Sequence, residues 1–369
     1  MIRTDLHELS ELGQSVWLDF TQRSLIRSGD LQDYVEKGAT GVTSNPAIFE
    51  KAIADSNDYD EQMAQLAEAG KSPDQIYEAL TVEDAREATD VLRPIYDRTN
   101  GMDGFFSLEV QPHLAHDKQG SIAAAQRLFK LVDRPNLMIK IPATEEGYGA
   151  IQESITEGIN INITLMFSLG QYERVAEAYI SGLERRLANG YEIAHITSVA
   201  SFFVSRVDTK VDKLLEEMQS PEANLLKGKI GIANAKIAYQ RFKEIFHSLR
   251  WSHLEERGGR IQRVLYGSTG TKDPKYSDVM YIENLIGPDT INTVPRETLA
   301  AFMDHGKVAL TLEENLDQAR AELGQLAELG IDLEEIGAQL LDEGIQKFNE
   351  PYDSLLKGIA EKSAELIAH

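Results

Sequence analysis

The stretch Leu137-Met138-Ile139-Lys140-Ile141-Pro142-Ala143-Thr144 sets a lysine inside an apolar run closed by proline. A run of this length and ending reads as an interior parallel strand, buried on both faces, so an ammonium within it needs a reason. Desolvation disfavours the charged form of lysine and leaves a neutral amine able to attack a carbonyl carbon. The structural alternative is a buried lysine paired with a carboxylate, which for a single residue carries about equal weight. The other strands tip the balance.

Outward from this stretch, short apolar or β-rich runs alternate with helical patterns. The sequence predicts strands over Val16–Phe20, Gly41–Asn45, Phe105–Val110, Leu137–Pro142, Ile161–Phe167, Ile193–Val199, Arg263–Ser268 and Thr290–Thr293. Between them, segments such as Ser121–Leu131, Ser168–Asn189 and Asn234–His247 repeat apolar residues at three- and four-residue spacing, the mark of amphipathic helices. Alternation of this kind predicts a parallel sheet with right-handed crossovers, and so many strands predict closure into a single-domain α/β barrel spanning 1–369. Helical insertions are expected at about 51–100 and 205–262, where Ser72-Pro73-Asp74 and Thr81-Val82-Glu83-Asp84 are helix-start signals in the first, and a helical segment from about 296 to 369. The competing architecture, an open doubly wound sheet, requires a glycine-rich turn after the first strand; Thr21-Gln22-Arg23 stands there instead.

Charge and composition narrow the partners. The 369-residue chain carries 60 acidic and 37 basic residues, a formal net charge of -23, so nucleic acid and anionic membranes are repelled. An anionic metabolite remains open only where basic residues gather locally. The absence of cysteine removes disulfides, thiol nucleophiles and cysteine metal sites. Met1-Ile2-Arg3-Thr4-Asp5 leads into a polar helix without an apolar signal core, and no stretch approaches transmembrane length, so a cytoplasmic protein is expected.

In such a barrel, reactive groups collect at the carboxyl ends of the strands, and nearly every strand offers one. Asp19 lies near the end of the first, Asn45 closes the second in Thr43-Ser44-Asn45-Pro46, Glu109 lies in the third and Lys140 in the fourth. Asn162 and Thr164 stand two apart and so share a face of the fifth. Ser201 and Arg206 follow the sixth in Ser201-Phe202-Phe203-Val204-Ser205-Arg206, and the seventh ends in Gly267-Ser268-Thr269-Gly270-Thr271-Lys272. Each has a plain reading as well. An Asp or Asn at a strand end often caps the next helix, and Glu109 could serve only as the partner of Lys140. The Gly267–Lys272 loop lacks the ending of a nucleotide P-loop but suits a phosphate cradle, with backbone amides, a hydroxyl and a charge. His113 and His116 lack the spacing of a helical metal pair, Asp55–Glu61 lacks the glycine of a calcium loop, and no Gly-x-Ser-x-Gly elbow occurs. A mechanism without metal or cofactor is therefore expected.

These motifs resemble the transaldolase family. The likeness rests on Trp17-Leu18-Asp19, Gly41-Val42-Thr43-Ser44-Asn45-Pro46, Glu109-Val110, Ile139-Lys140-Ile141-Pro142-Ala143-Thr144, Asn162-Ile163-Thr164-Leu165, Ser201 to Arg206 and the Gly267–Lys272 loop, in family order. It implies a (β/α)8 TIM barrel with a C-terminal helix near the site mouth. The resemblance further implies that Lys140 forms a Schiff base with a ketose carbonyl. Asp19 would deprotonate the hydroxyl whose ionisation breaks the carbon–carbon bond, and Glu109 and Thr164 would hold the water for imine formation and hydrolysis. Asn45, Asn162 and Ser201 would bind a dihydroxyacetone unit, Phe203 would wall the pocket, and Arg206 with Ser268 would grip a phosphate.

One departure concerns the phosphate. Many family members carry a second phosphate-binding arginine shortly after the serine of the seventh-strand loop; here Lys272 is the nearest cation that could replace it. The activity implied is transfer of dihydroxyacetone from sedoheptulose 7-phosphate to glyceraldehyde 3-phosphate. Two alternatives stand beside it: a fructose 6-phosphate aldolase, against which Glu109 counts, and a sugar-phosphate-binding protein without turnover. Sugar phosphates are the expected partners, and homo-oligomerisation is left open.

Overall fold

Eight parallel strands pair in sequence order and the last returns to the first, closing a barrel. The computed structural model describes residues 3–368, so the ends of the expected 1–369 span, including Met1 and Ile2, lie outside the described residues. The strands are β1 (Gln14–Leu18), β2 (Gly41–Thr43), β3 (Phe106–Glu109), β4 (Leu137–Pro142), β5 (Ile161–Met166), β6 (Ser198–Phe203), β7 (Arg263–Gly267) and β8 (Thr290–Val294). Helices cross between them on the outside, making the molecule a single-domain (β/α)8 TIM barrel. Several crossovers begin where a polar strand-end residue caps the next helix. Asn45 accepts from the Ile48 amide at 3.0 Å, Thr144 from Gly147 at 2.9 Å, and Ser168 and Gln171 form a capping box.

One strand differs from the sequence reading. The sixth was expected over Ile193–Val199 but runs from Ser198 to Phe203. Ile193 and Ile196 are fully buried, yet they lie in the connection before the strand. Their bulk imitates a strand, whereas the small residues of Ser198-Val199-Ala200-Ser201 give a weak β signal. Ser201 and Phe203 therefore sit on the sixth strand instead of following it, and Arg206 lies in the first turn of helix Ser205–Met218.

The two-residue alternation of strands sorts the barrel interior into layers. Trp17, Met138, Val199, Leu265 and Ile291, with Phe105, form an apolar plug across the middle. Gly41 makes room for it, because a Cβ there would fall 2.6 Å from the Trp17 indole. Two residues further along the same strands lie Asp19, Lys140, Ser201 and Thr293, above the plug at the carboxyl ends. Two residues before it lie Ser15 and Arg263, which meet Asp103 underneath.

Helices dominate the two expected insertions, with Pro46–Ala54, Asp60–Glu68 and Pro73–Arg98 in the first and Ser205–Met218, Ile230–Phe246 and Leu249–Glu255 among those in the second. From Arg296 onward the described elements are helices, ending in Leu333–Ala368. That last helix is strapped across the carboxyl ends of the strands. At its start Glu334 accepts from the Ser168 hydroxyl at 2.7 Å and the Gly170 amide at 2.9 Å. Further along, Tyr352 donates to Asp74 at 3.1 Å and Lys362 to the Ser56 carbonyl at 3.0 Å.

The polar cluster below the plug yields a stability prediction. Asp103 accepts from the Trp17 indole N–H at 2.8 Å and the Gly104 amide at 3.0 Å, from the Ser15 hydroxyl as well, and lies 3.8 Å from Arg263. Asp103→Ala strands a buried guanidinium and an indole donor, so urea unfolding should show a loss of about 3–5 kcal/mol. Asp103→Asn, which keeps an acceptor for Trp17, should lose less. Equal and small losses in both variants would show that the cluster contributes little.

Candidate active site

Register alone lines up the centre of the site. Glu109 pairs with Lys140 across β3 and β4, and Lys140 with Asn162 across β4 and β5, so three polar side chains stand abreast in one layer. Lys140 is 5% exposed; its Nζ lies 3.1 Å from Glu109 Oε2 and donates to the Ser44 carbonyl at 3.0 Å. The carboxylate partner that a buried lysine calls for is thus present. Glu109 Oε2 is close enough for charge compensation but makes no hydrogen bond, and the buried Thr164 hydroxyl likewise has no hydrogen-bond partner.

Asp19 follows β1, its amide held by the Val294 carbonyl at 2.9 Å and its carboxylate accepting from Thr43 at 2.7 Å. Thr43 is steadied in turn by Thr293 at 2.6 Å. Desolvation at the barrel mouth pushes the Asp19 carboxyl above the ordinary carboxylate range, against the opposing pull of Lys140, the Thr43 hydroxyl, Lys272 and Arg206. Desolvation also raises Glu109; the Lys140 charge opposes this and the Asp19 charge adds to it. Two carboxyl groups therefore share one enclosed space with one ammonium, an arrangement suited to passing protons.

Asn162 and Ser201 form a short chain. Ser201 donates to Asn162 Oδ1 at 2.6 Å, and the Asn162 amide donates to Ser107 at 3.0 Å. Asn45 is partly exposed at the mouth, and its Oδ1 serves as a helix cap, so the plain reading of this residue holds alongside any other. Phe203 ends β6, edge-on to Phe167 at 5.4 Å, with the Arg206 guanidinium 5.4 Å from its ring centre. Ser268 takes a left-handed backbone, φ +54°, and shares a 2.9 Å hydrogen bond with Ser205, which ties the seventh-strand loop to the start of the Arg206 helix. Lys272 is exposed at the rim, and its charge reaches Asp19.

The structure thus gathers Lys140, Asp19, Glu109, Asn162, Thr164 and Ser201 inside the mouth, with Asn45, Phe203, Arg206, Ser268 and Lys272 around it. His113 and His116 are elsewhere, on exposed surface, paired to Asp353 at 2.7 Å and Glu146 at 3.2 Å. The sequence reading passed over several supporting groups. Thr43 and Ser107 lie on the inward faces of β2 and β3, so strand parity could have identified both. The Ser44 contribution is a backbone carbonyl, for which no side-chain signal exists.

The family model described as Transaldolase/Fructose-6-phosphate aldolase matches residues 16–359. A protein of Nostoc punctiforme named Transaldolase 2 is 46% identical, with 98% of each chain covered. A Trichodesmium erythraeum protein named Transaldolase is 45% identical over 99% of both chains, and one from Frankia alni, also named Transaldolase, is 46% identical over 97% of both. With a barrel that closes around an enclosed lysine and its carboxylates, the chain belongs to the transaldolase/fructose-6-phosphate aldolase family.

Proposed function

We propose that this chain is a transaldolase that moves a dihydroxyacetone unit from sedoheptulose 7-phosphate to glyceraldehyde 3-phosphate, giving erythrose 4-phosphate and fructose 6-phosphate. The observation that carries this reading is the Lys140 amine, enclosed by the barrel 3.1 Å from Glu109 in the same layer as Asn162. Full-length relatives named Transaldolase support transfer over simple aldol release.

In this mechanism the Lys140 nitrogen attacks the ketose carbonyl, and the resulting carbinolamine loses water to form the imine. Glu109 carries the proton for that water, with Thr164 holding it; their buried polar atoms without hydrogen-bond partners favour such a shared molecule. The Asp19 carboxylate takes the proton from the hydroxyl beyond the scissile bond. The bond breaks, its electron pair flows into the cationic imine, and an aldose leaves. The acceptor aldehyde is then attacked by the enamine carbon while Asp19 returns its proton to the new hydroxyl. Water finally hydrolyses the imine and frees Lys140. Asn162, Ser201 and Asn45 hold the three-carbon unit, and Arg206, Ser268 and Lys272 hold the phosphate, with Lys272 as a point charge where a second arginine would offer a fork.

We read residues 1–369 as one functional unit, a barrel with helical insertions, working in the cytoplasm on pentose phosphate pathway sugars. Among the described residues no helix is long and apolar enough to cross a membrane.

Borohydride reduction in the presence of fructose 6-phosphate should leave a three-carbon adduct on Lys140, read by peptide mass mapping. Lys140→Met should keep the fold and lose roughly 10³-fold or more in turnover; near wild-type turnover would remove this amine from the mechanism. Aldehyde-dependent transfer should greatly exceed release of free dihydroxyacetone, and the reverse would favour the aldolase.

Asp19 supplies a prediction of opposite sign for activity and stability. Its raised pKa in the folded state makes protonation favour folding, fully so below the unfolded value of 3.8, and this advantage is lost as pH rises through the folded value. Asp19→Asn, which never ionises, should therefore be inactive yet more resistant to urea than wild type near neutral pH, with the difference closing at acid pH. The wild-type acid limb of kcat/KM should lie above pH 3.8. A variant no more stable than wild type at neutral pH would refute the assignment of desolvation strain to this carboxylate.

A further inference from the structure

Arg206 is half-buried at the mouth, stacked on Phe203, and among the described residues enters no ion pair. Three carboxylates nevertheless bear on it electrostatically: Asp19, Glu109 and Glu343. The first two belong to the site already described. The third comes from the strapping helix, far along the chain from Arg206, and has no part in the chemistry.

Close packing explains how Glu343 arrives there. Its neighbour Gly344 lies directly against β5 and Arg206: a Cβ at Gly344 would fall 2.8 Å from Leu165 and 3.6 Å from Arg206 Nη1. With only a hydrogen on that face, the strapping helix settles low over the mouth and brings the Glu343 carboxylate with it. A free carboxylate in that position would form a charge-assisted, two-pronged pair with the guanidinium. Among the described residues no such pair is present, and Glu343 is engaged by Lys210 instead. Lys210 lies one turn after Arg206 on the same helix, and its Nζ lies 2.6 Å from Glu343 Oε1. Both side chains are partly shielded, at 27% and 39% exposure, so solvent screens the contact less than an open surface pair. Lys347, a turn further along the strapping helix, also acts on Glu343.

We propose that Lys210 is a positioning residue that holds Glu343 away from Arg206 and so keeps the guanidinium open for the phosphate of the sugar substrate. The inference rests on the reading of Arg206 as the phosphate grip. Specificity for phosphorylated aldoses then depends on an ion pair that touches no substrate. Without Lys210, the carboxylate of the enzyme's own last helix competes with the phosphate for the same guanidinium.

The test uses the full-length enzyme with a saturating ketose phosphate donor and two acceptors, glyceraldehyde 3-phosphate and unphosphorylated glyceraldehyde. Lys210→Ala should raise KM for the phosphorylated acceptor about three- to tenfold with kcat little changed, the range of a modest to moderate charge interaction. The unphosphorylated acceptor should show no change. Lys210→Ala combined with Glu343→Gln should return KM to the wild-type value, and Lys210→Arg should keep it. An unchanged KM in Lys210→Ala, or a double variant that fails to recover, overturns the proposal. Glu343→Gln alone leaves Lys210 in place and should give a KM no higher than wild type; a raised KM also overturns it. Arg206→Ala is the separate control. If it leaves the preference for the phosphorylated acceptor intact, the phosphate reading itself falls and takes this inference with it.

Discussion

A lysine ammonium enclosed by eight strands has to find its counter-charge inside the barrel, and Glu109 supplies it from the adjacent strand at 3.1 Å. Removing an ion of this size from water costs several kcal/mol even after the protein relaxes, on the order of 20 in the idealised limit. That cost is offset only where the partner is fixed, and the β3–β4 register fixes it. A one-residue slip of β4 would turn Lys140 out among the helices and leave Glu109 alone inside. The apolar plug beneath serves the same end. Trp17, Met138, Leu265 and their neighbours seal the barrel below the ion pair, and the polar contacts that Lys140 makes lie on the mouth side of them. Once this pair is set, the reactive layer follows from alternation along each strand.

That dependence explains which features were legible in the sequence. Lys140, Glu109, Asn162 and Thr164 could be read because parity along a buried strand is a strict rule, and a polar residue that breaks an apolar run announces itself. The barrel could be read from the count and alternation of its elements. The sixth strand was misplaced because local hydrophobicity reports burial and not conformation: Ile193 and Ile196 are as buried as any strand residue while belonging to a connection. Asn45 illustrates a different limit, since its oxygen caps a helix, a role that residue type at a strand end does not separate from binding. The contact between Gly344 and Arg206 lay beyond reach. It joins segments distant in sequence through a glycine, whose only signal is the lack of a side chain.

The charge distribution resolves an apparent conflict between an acidic protein and anionic substrates. With a net charge of -23 the chain as a whole repels phosphates. At the mouth the balance reverses, because Lys140, Lys272 and Arg206 gather around the carboxyl groups of Asp19 and Glu109. Many acidic side chains elsewhere are engaged with arginines on the outer helices, as where Arg250 bridges Glu177 and Glu184 at 2.6 and 2.7 Å. The positive spot is therefore local, and its strength depends on which carboxylates are kept out of it.

The strapping helix connects these points. Leu165 adopts a left-handed backbone, φ +58°, where β5 loses register with β6, a conformation disfavoured for a branched apolar residue. Something has to hold it there, and the hydrogen-only face of Gly344 packs against its side chain. Because Leu165 follows Thr164 directly, the helix that presses on one also limits the freedom of the other. An enzyme that retains a three-carbon fragment between two sugars has to keep bulk water from the imine while admitting one chosen molecule to hydrolyse it. Under the proposed mechanism, Thr164, the shielded Glu109 and a helix anchored at both sides of the mouth would meet that requirement through packing.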